Sequence, residues 1–232
     1  MFEAEAKGLS LLHSTGTIKI PEVILTGEAE GKSYLVLEYI EAGRRRKDFY
    51  QDFGIKLAAL HRHSSSAFGL DHDNYIGSLP QSNSQHSSWV EFFITERLQK
   101  QIALARNSGV ISNSTIQQFN NLFRSLPEFI PDERPSLIHG DLWNGNYMMA
   151  ADGSACLIDP AVYYGHREMD LGMSGLFGGF SQEFYESYHE AFPLAPGFEE
   201  RVDIHNLYPL MVHVNLFGGG YLSQVKSVLS QF

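Results

Sequence analysis

The octet His139-Gly140-Asp141-Leu142-Trp143-Asn144-Gly145-Asn146, followed by Leu157-Ile158-Asp159-Pro160, constrains this chain more than any other stretch. Asp141 and Asn146 stand five apart on a segment rich in turn formers. Short apolar runs at 147–150 and 155–158 flank Asp152-Gly153, a pair that supplies the backbone freedom a tight hairpin needs. Asp159 closes that hairpin, so its two strands carry three oxygen-bearing side chains to one end. Taken singly, Asp141 and Asn146 read as turn residues and Asp159 as a strand-end cap. Together they make one pocket of hard oxygen donors, which suits a divalent cation and the charge that develops on a phosphoryl group in transfer.

The rest of the chain agrees with a globular α+β protein. Its 232 residues, 43% of them apolar, suffice for a proper core, in one large domain or two small lobes. The single cysteine, Cys156, excludes a disulfide framework and makes a reducing, cytoplasmic setting the expectation. Neither a signal peptide nor a run of eighteen uncharged apolar residues is found, so no membrane partner is expected. The net charge of -10 repels polyanions, and no nucleic-acid partner is expected; the run Arg44-Arg45-Arg46-Lys47 reads as a solvated loop or helix start.

Phe2, Ala6, Leu9 and Leu12 recur at helical spacing and predict a helix over 1–14. Two β-rich runs, 18–24 and 33–40, predict a hairpin joined by a Gly/Glu-rich turn. Phe49, Phe53, Leu57 and Leu60 trace one helical face, Trp89 to Ile102 fill a second helical segment, and 114–125 predict a third. The Ser-rich stretch 63–88 between the first two reads as a long loop. After Asp170 the pattern is helical to the end, broken at Pro193, Pro196 and Gly218 to Gly220. His61, His63, His189, His205 and His213 read as helix-face or core residues.

His139-Gly-Asp-x-x-x-x-Asn146 with Ile158-Asp159-Pro160 resembles the catalytic and metal loops of the aminoglycoside phosphotransferase and protein-kinase-like superfamily. More narrowly, HGDLWNGN, IDPAVYYGHREMDL, DNYIGSLPQSN and LMVHVNLFGGGYLSQV are similar to the fructosamine kinase family, over nearly the whole chain. The resemblance implies a protein-kinase-like bilobal fold, with an incomplete small β lobe over 1–40 and a mainly helical large lobe over 41–232. It implies ATP and Mg2+ as cofactors and, as the reaction, phosphorylation of the 3-hydroxyl of a fructosamine or ribulosamine, free or protein-bound, as a deglycation repair step.

Carried onto these positions, the resemblance makes Asp141 the base, and Asn146 and Asp159 the magnesium holders. Trp143, His166 and Glu168 fall to the acceptor, with a core reading open for Trp143 and a structural one for His166. Asp170 buttresses the catalytic loop or caps the helix before Leu171, and His139 supports the same loop. Glu38-Tyr39-Ile40 corresponds to the hinge that reads adenine, and Glu5 to the glutamate that pairs with a phosphate-binding lysine. No such lysine or Gly-rich loop precedes Glu5, so the expectation is an N-terminally truncated member, with a homodimer paired through the incomplete sheet left open. The alternatives are an aminoglycoside- or choline-type small-molecule kinase, and a pseudokinase that binds without turnover. A metal hydrolase lacks a closed ligand set, and a serine hydrolase lacks the Gly-x-Ser-x-Gly elbow.

Overall fold

A computed structural model describes all 232 residues. The chain opens on α1 (Phe2–Ser14), whose buried Gly8, Leu9 and Leu12 are the inward face that the spacing predicts. The hairpin that follows pairs β1 (Val23–Ala29) with β2 (Lys32–Leu37), antiparallel. Its loop, Glu30-Gly31, has positive φ at both residues (53° and 71°), the primed-turn geometry that matches strand twist. The first strand begins later than the apolar run 18–24 predicts. Pro21 has no N–H for a ladder, and Ile18 and Ile20 turn inward while Lys19 bridges to Cys156.

The helical part contains α2 (Phe49–His61), α3 (Trp89–Phe92), a π-helical turn (Phe93–Leu98), α4 (Gln99–Asn107), α5 (Asn113–Phe129), α6 (Glu168–Leu176), α7 (Gln182–Ala191), α8 (Phe198–Phe217) and α9 (Leu222–Leu229). A 3-10 turn, Gly219–Tyr221, joins the last two. Helices α2 and α7 approach closely at Gly54, where a side-chain carbon would collide with the Phe184 carbonyl. The stretch 63–88 is not all loop: β3 (Asn74–Ile76) pairs with β4 (Leu79–Gln81). These strands are three residues each and hold Pro80, so no alternation announces them.

Two further ribbons carry the octet. The strands β5 (Ser136–Ile138) and β8 (Tyr163–Gly165) pair antiparallel, as do β6 (Tyr147–Met149) and β7 (Ala155–Leu157), the latter as the Asp-Gly signal predicts. Two large apolar clusters meet on the β5–β8 ribbon. Ile138 and Tyr163 belong to one, with Phe92, Phe93, Phe119 and the inner face of α8. Leu137 and Val162 belong to the other, with Leu9, Ile20, Phe49, Phe53 and Phe184. The second cluster draws on both sides of position 40, so the buried core is continuous from α1 into α2.

Candidate active site

The segment from His139 to Asn146 leaves β5 and enters β6, and its shape is fixed from behind by Asp170 on α6. The Asp170 carboxylate is fully buried. It accepts from the backbone N–H of His139 (2.7 Å) and of Gly140 (2.9 Å), and from His61 Nε2 on α2 (3.1 Å). Burial alone would raise its pKa, but the His61 hydrogen bond and charge, His139 and the Gly140 N–H outweigh burial and lower it. Asp170 is therefore inside the first turn of α6 and points into the loop; it is not the helix N-cap. Gly140 has φ 82° and lies so close to the Ala161 carbonyl that no side chain fits there.

His139 is the second brace. Its Nε2–H donates to the Ile158 carbonyl (3.0 Å) and its Nδ1 accepts from the Asp141 N–H (3.3 Å), tying the loop to the hairpin behind it. Burial lowers its pKa, so the ring is neutral, as this donor and acceptor pair requires.

The three oxygen-bearing residues of the octet and hairpin meet. Asn146 Nδ2 donates to Asp141 Oδ2 (2.8 Å) and to the Asp141 carbonyl (2.9 Å), with a longer contact to the Asp159 carbonyl (3.4 Å). Asn146 Oδ1 stays free of the chain's own donors. Burial and the Asp159 carboxylate push the Asp141 carboxyl up to about 7, against the lowering effect of Asn146. Asp159 holds a left-handed backbone, φ 52°, rare for a residue with a side chain. Two carboxylates that line one cavity, the charge of one raising the pKa of the other, stand beside a free amide oxygen; this hard donor set fits Mg2+, and a bound cation would draw the Asp141 pKa down again.

Two cavities open on Asp141. One, about 270 Å³, also holds Asp159, Glu5 and the β3–β4 turn. Burial, then the Asp159 charge, raises the Glu5 pKa, and no lysine or arginine lies within ion-pair distance of it. The other, about 410 Å³, runs from Asp141 and Trp143 to Phe177, just past the end of α6, and to Val212, His213 and Phe217 on α8. Trp143 is 37% exposed and meets Phe177 edge to face, with ring centroids 6.0 Å apart.

His166 and Glu168 are not in either cavity, which corrects the expectation that they line the acceptor site. Both are wholly buried. Glu168 takes a two-pronged ion pair from Arg201 (2.6 and 2.9 Å) and a contact from His205 (3.2 Å). Burial works to raise the Glu168 pKa, but these partners bring it down to about 2. His166 stacks on His205 and, again through burial, is pushed down to about 4. The pair anchors α6 to α8.

The segment Glu38-Tyr39-Ile40 follows β2 and does not extend it. The Glu38 N–H donates to the Glu22 carbonyl (2.8 Å), Tyr39 is 86% exposed, and Ile40 packs on Ala150 and Cys156 of the β6–β7 hairpin. Sequence reasoning placed His61 on a helix face or in the core but missed its partner, because nothing local marks a contact with Asp170 across 109 positions.

A two-lobed phosphotransferase scaffold of the kinase-like type is what this loop, hairpin and helical half define. Comparison with known proteins carries the assignment further. The profile of the fructosamine kinase family matches residues 1–232. A Synechocystis protein described as a ketoamine kinase is 43% identical over 235 residues, covering 100% of this chain and 78% of its own length. The chloroplastic protein-ribulosamine 3-kinase of Arabidopsis thaliana is 39% identical over 238 residues, covering 100% and 72%. A crystal structure from Thermobifida fusca, described as a fructosamine-3-kinase, superimposes with a TM-score of 0.90 at 34% identity, covering 99% of this chain and 79% of that one. The chain belongs to the fructosamine kinase family. Its fold extends to an aminoglycoside phosphotransferase, APH(4)-Ia, solved with AMP-PNP and hygromycin B (TM-score 0.59, 15% identity, covering 98% of this chain and 82% of that one).

Proposed function

We propose that this protein transfers the γ-phosphoryl group of ATP to the 3-hydroxyl of a ketosamine, a fructosamine or ribulosamine on a small amine or a protein, as a deglycation step. The meeting of Asp141, Asn146 and Asp159 at the junction of two cavities carries the reading, because one cavity then serves the nucleotide and the other the acceptor. The names of the family relatives support the substrate class.

In this reading Asp141 orients the acceptor hydroxyl and receives its proton. The bond from the sugar oxygen to the γ-phosphorus forms, the bond to the bridging oxygen breaks, and ADP leaves. Asn146 Oδ1 and the Asp159 carboxylate would hold Mg2+, which when bound neutralises charge on the phosphate oxygens. Asp170, His61 and His139 keep the loop in the shape that puts Asp141 at the cavity mouth. Trp143 gives the sugar an apolar wall. Residues 1–40 stand on the nucleotide side, with Glu5 and the Glu38-Tyr39-Ile40 segment facing ATP, and 41–232 form the lobe for the acceptor.

The test is phosphate transfer from ATP-magnesium to ribulosamine, fructosamine, aminoglycoside and choline acceptors, with the Asp141→Asn protein alongside. Transfer to ketosamines that falls by about 100-fold or more in the variant is expected of a lost base. Undiminished transfer would remove Asp141 from this role.

A further inference from the structure

A separate groove, about 600 Å³, opens between α6, α7 and the first turns of α8 and shares no lining residue with the two cavities on Asp141. Helix α6 divides it from the 410 Å³ cavity: Gly172 and Gly175 line the groove, whereas Met173 and Phe177 line the cavity on the other side of the helix. Tyr185, Leu194, Phe198 and Val202 give the groove apolar walls. The wall formed by the segment between α7 and α8 carries no helix or strand, yet two buried arginines hold it by its carbonyls. Arg167 donates to Phe192 (2.8 Å) and Pro193 (2.7 Å), and Arg201 donates to Ala195 (3.1 Å) and Pro196 (2.8 Å). The Leu194 N–H donates to His189 Nδ1 (3.2 Å). A groove fixed in this way is preformed, so little ordering cost falls on whatever enters it.

Charge decides what such a groove accepts. Glu186 and Glu190, one turn apart on α7, and Glu199 on α8 rim it, all three exposed, and no lysine or arginine lines it. None of the three carboxylates is within ion-pair distance of a basic side chain, in a chain whose net charge is -10. An apolar trough with unneutralised carboxylates on two sides complements a peptide segment that carries lysine or arginine among apolar residues: the aliphatic stems lie on the trough and the charged heads reach the rim. We propose that this groove docks a basic segment of a glycated protein. The proposal rests on the kinase reading above for what the docked chain carries, a ketosamine on a neighbouring lysine. Groove and cavity are separated by the width of one helix, about 10 Å, which roughly three or four extended residues span. A protein substrate is then held in two places, and a ketosamine in lysine-rich surroundings is preferred over the same sugar on a small amine.

The test is fluorescence anisotropy of the full chain with a short labelled peptide of lysine, leucine and glycine that carries no sugar. Binding is expected, and it should weaken as salt is raised. The triple variant Glu186→Gln, Glu190→Gln, Glu199→Gln alters exposed side chains alone and should bind the peptide about tenfold more weakly, the size of three exposed charge pairs together. Its transfer of phosphate to a small ketosamine should match the parent's, and a saturating small ketosamine should leave peptide binding unaltered. Peptide binding by the variant within about twofold of the parent, or equal binding of a peptide with serine in place of lysine, overturns the proposal. Displacement of the peptide by the small ketosamine also overturns it, by putting the peptide in the acceptor cavity. Self-association of the parent that the variant loses, read by sedimentation, assigns the groove to a second copy and overturns it too. The peptide bears no sugar and its binding needs no turnover, so the two readings fail separately. Transfer without peptide binding sinks the docking groove alone, whereas peptide binding without transfer to any ketosamine sinks the kinase reading and leaves a groove for basic segments.

Discussion

Replacing Asp170 by Asn removes the charge that shapes the His139–Asn146 loop while keeping the side chain's volume. Two donors, the His139 N–H and His61 Nε2, arrive on Oδ2, and the Gly140 N–H arrives on Oδ1. An asparagine turned to keep the first two presents its NH2 to the Gly140 N–H, leaving two donors face to face in a buried site. One charge-assisted bond is lost outright and two become neutral ones, a cost of about 3 kcal/mol. For a chain of this size the melting temperature should fall by roughly 6–12 °C. Scanning calorimetry of both proteins at neutral pH reads this directly. The pH dependence supplies a second check. The folded-state pKa of Asp170 lies below its ordinary value, so its contribution is complete above that ordinary value and is lost as pH falls through the folded one. Other carboxylates are common to both proteins and cancel, so the gap between the two should narrow on acidification. A melting temperature within about 2 °C of the parent, or a gap that stays constant into strong acid, would refute the loop-buttress assignment.

Arg201→Met should destabilise by about 3–5 kcal/mol, because it leaves Glu168 buried without its main partner; urea titration measures it. The Glu168 carboxyl is held down to about 2, so the stability it confers is present above its ordinary pKa and is lost as pH falls toward 2, and the deficit of the variant should shrink over the same window. Gly54→Ala should cost about 1–3 kcal/mol by forcing α2 from α7, again read by denaturant titration, whereas substitution at the open Gly219 should not. Asn146→Ala should raise the Mg2+ concentration needed for half-maximal transfer, with the acceptor KM nearly unchanged, in steady-state assays that vary the metal.

Features whose cause lies close along the chain were legible in the sequence. The β6–β7 hairpin follows from Asp152-Gly153, and the inner face of α1 from Leu9 and Leu12, because turn chemistry and helical period are local. The β3–β4 hairpin stayed hidden, since three-residue strands in a Ser-rich stretch leave no period to read. Within the candidate site, Asp141, Asn146 and Asp159 fall in a span short enough for spacing to bring them together. The placement of Glu168 and His166 went astray for the opposite reason. Their burial is set by Arg201 and His205 on α8, more than thirty positions away, and a charged string such as His166-Arg167-Glu168 looks the same in sequence whether it lines a cavity or cross-links two helices.

The β5–β8 ribbon has neighbouring side chains on opposite sides, Leu137 toward one apolar cluster and Ile138 toward the other, and it runs straight into His139. Such a partition wall belongs to both rooms. Softening of either half reaches the His139–Asn146 loop through the same three residues, so heat inactivation and global melting should coincide, with no window in which one half is molten and turnover persists.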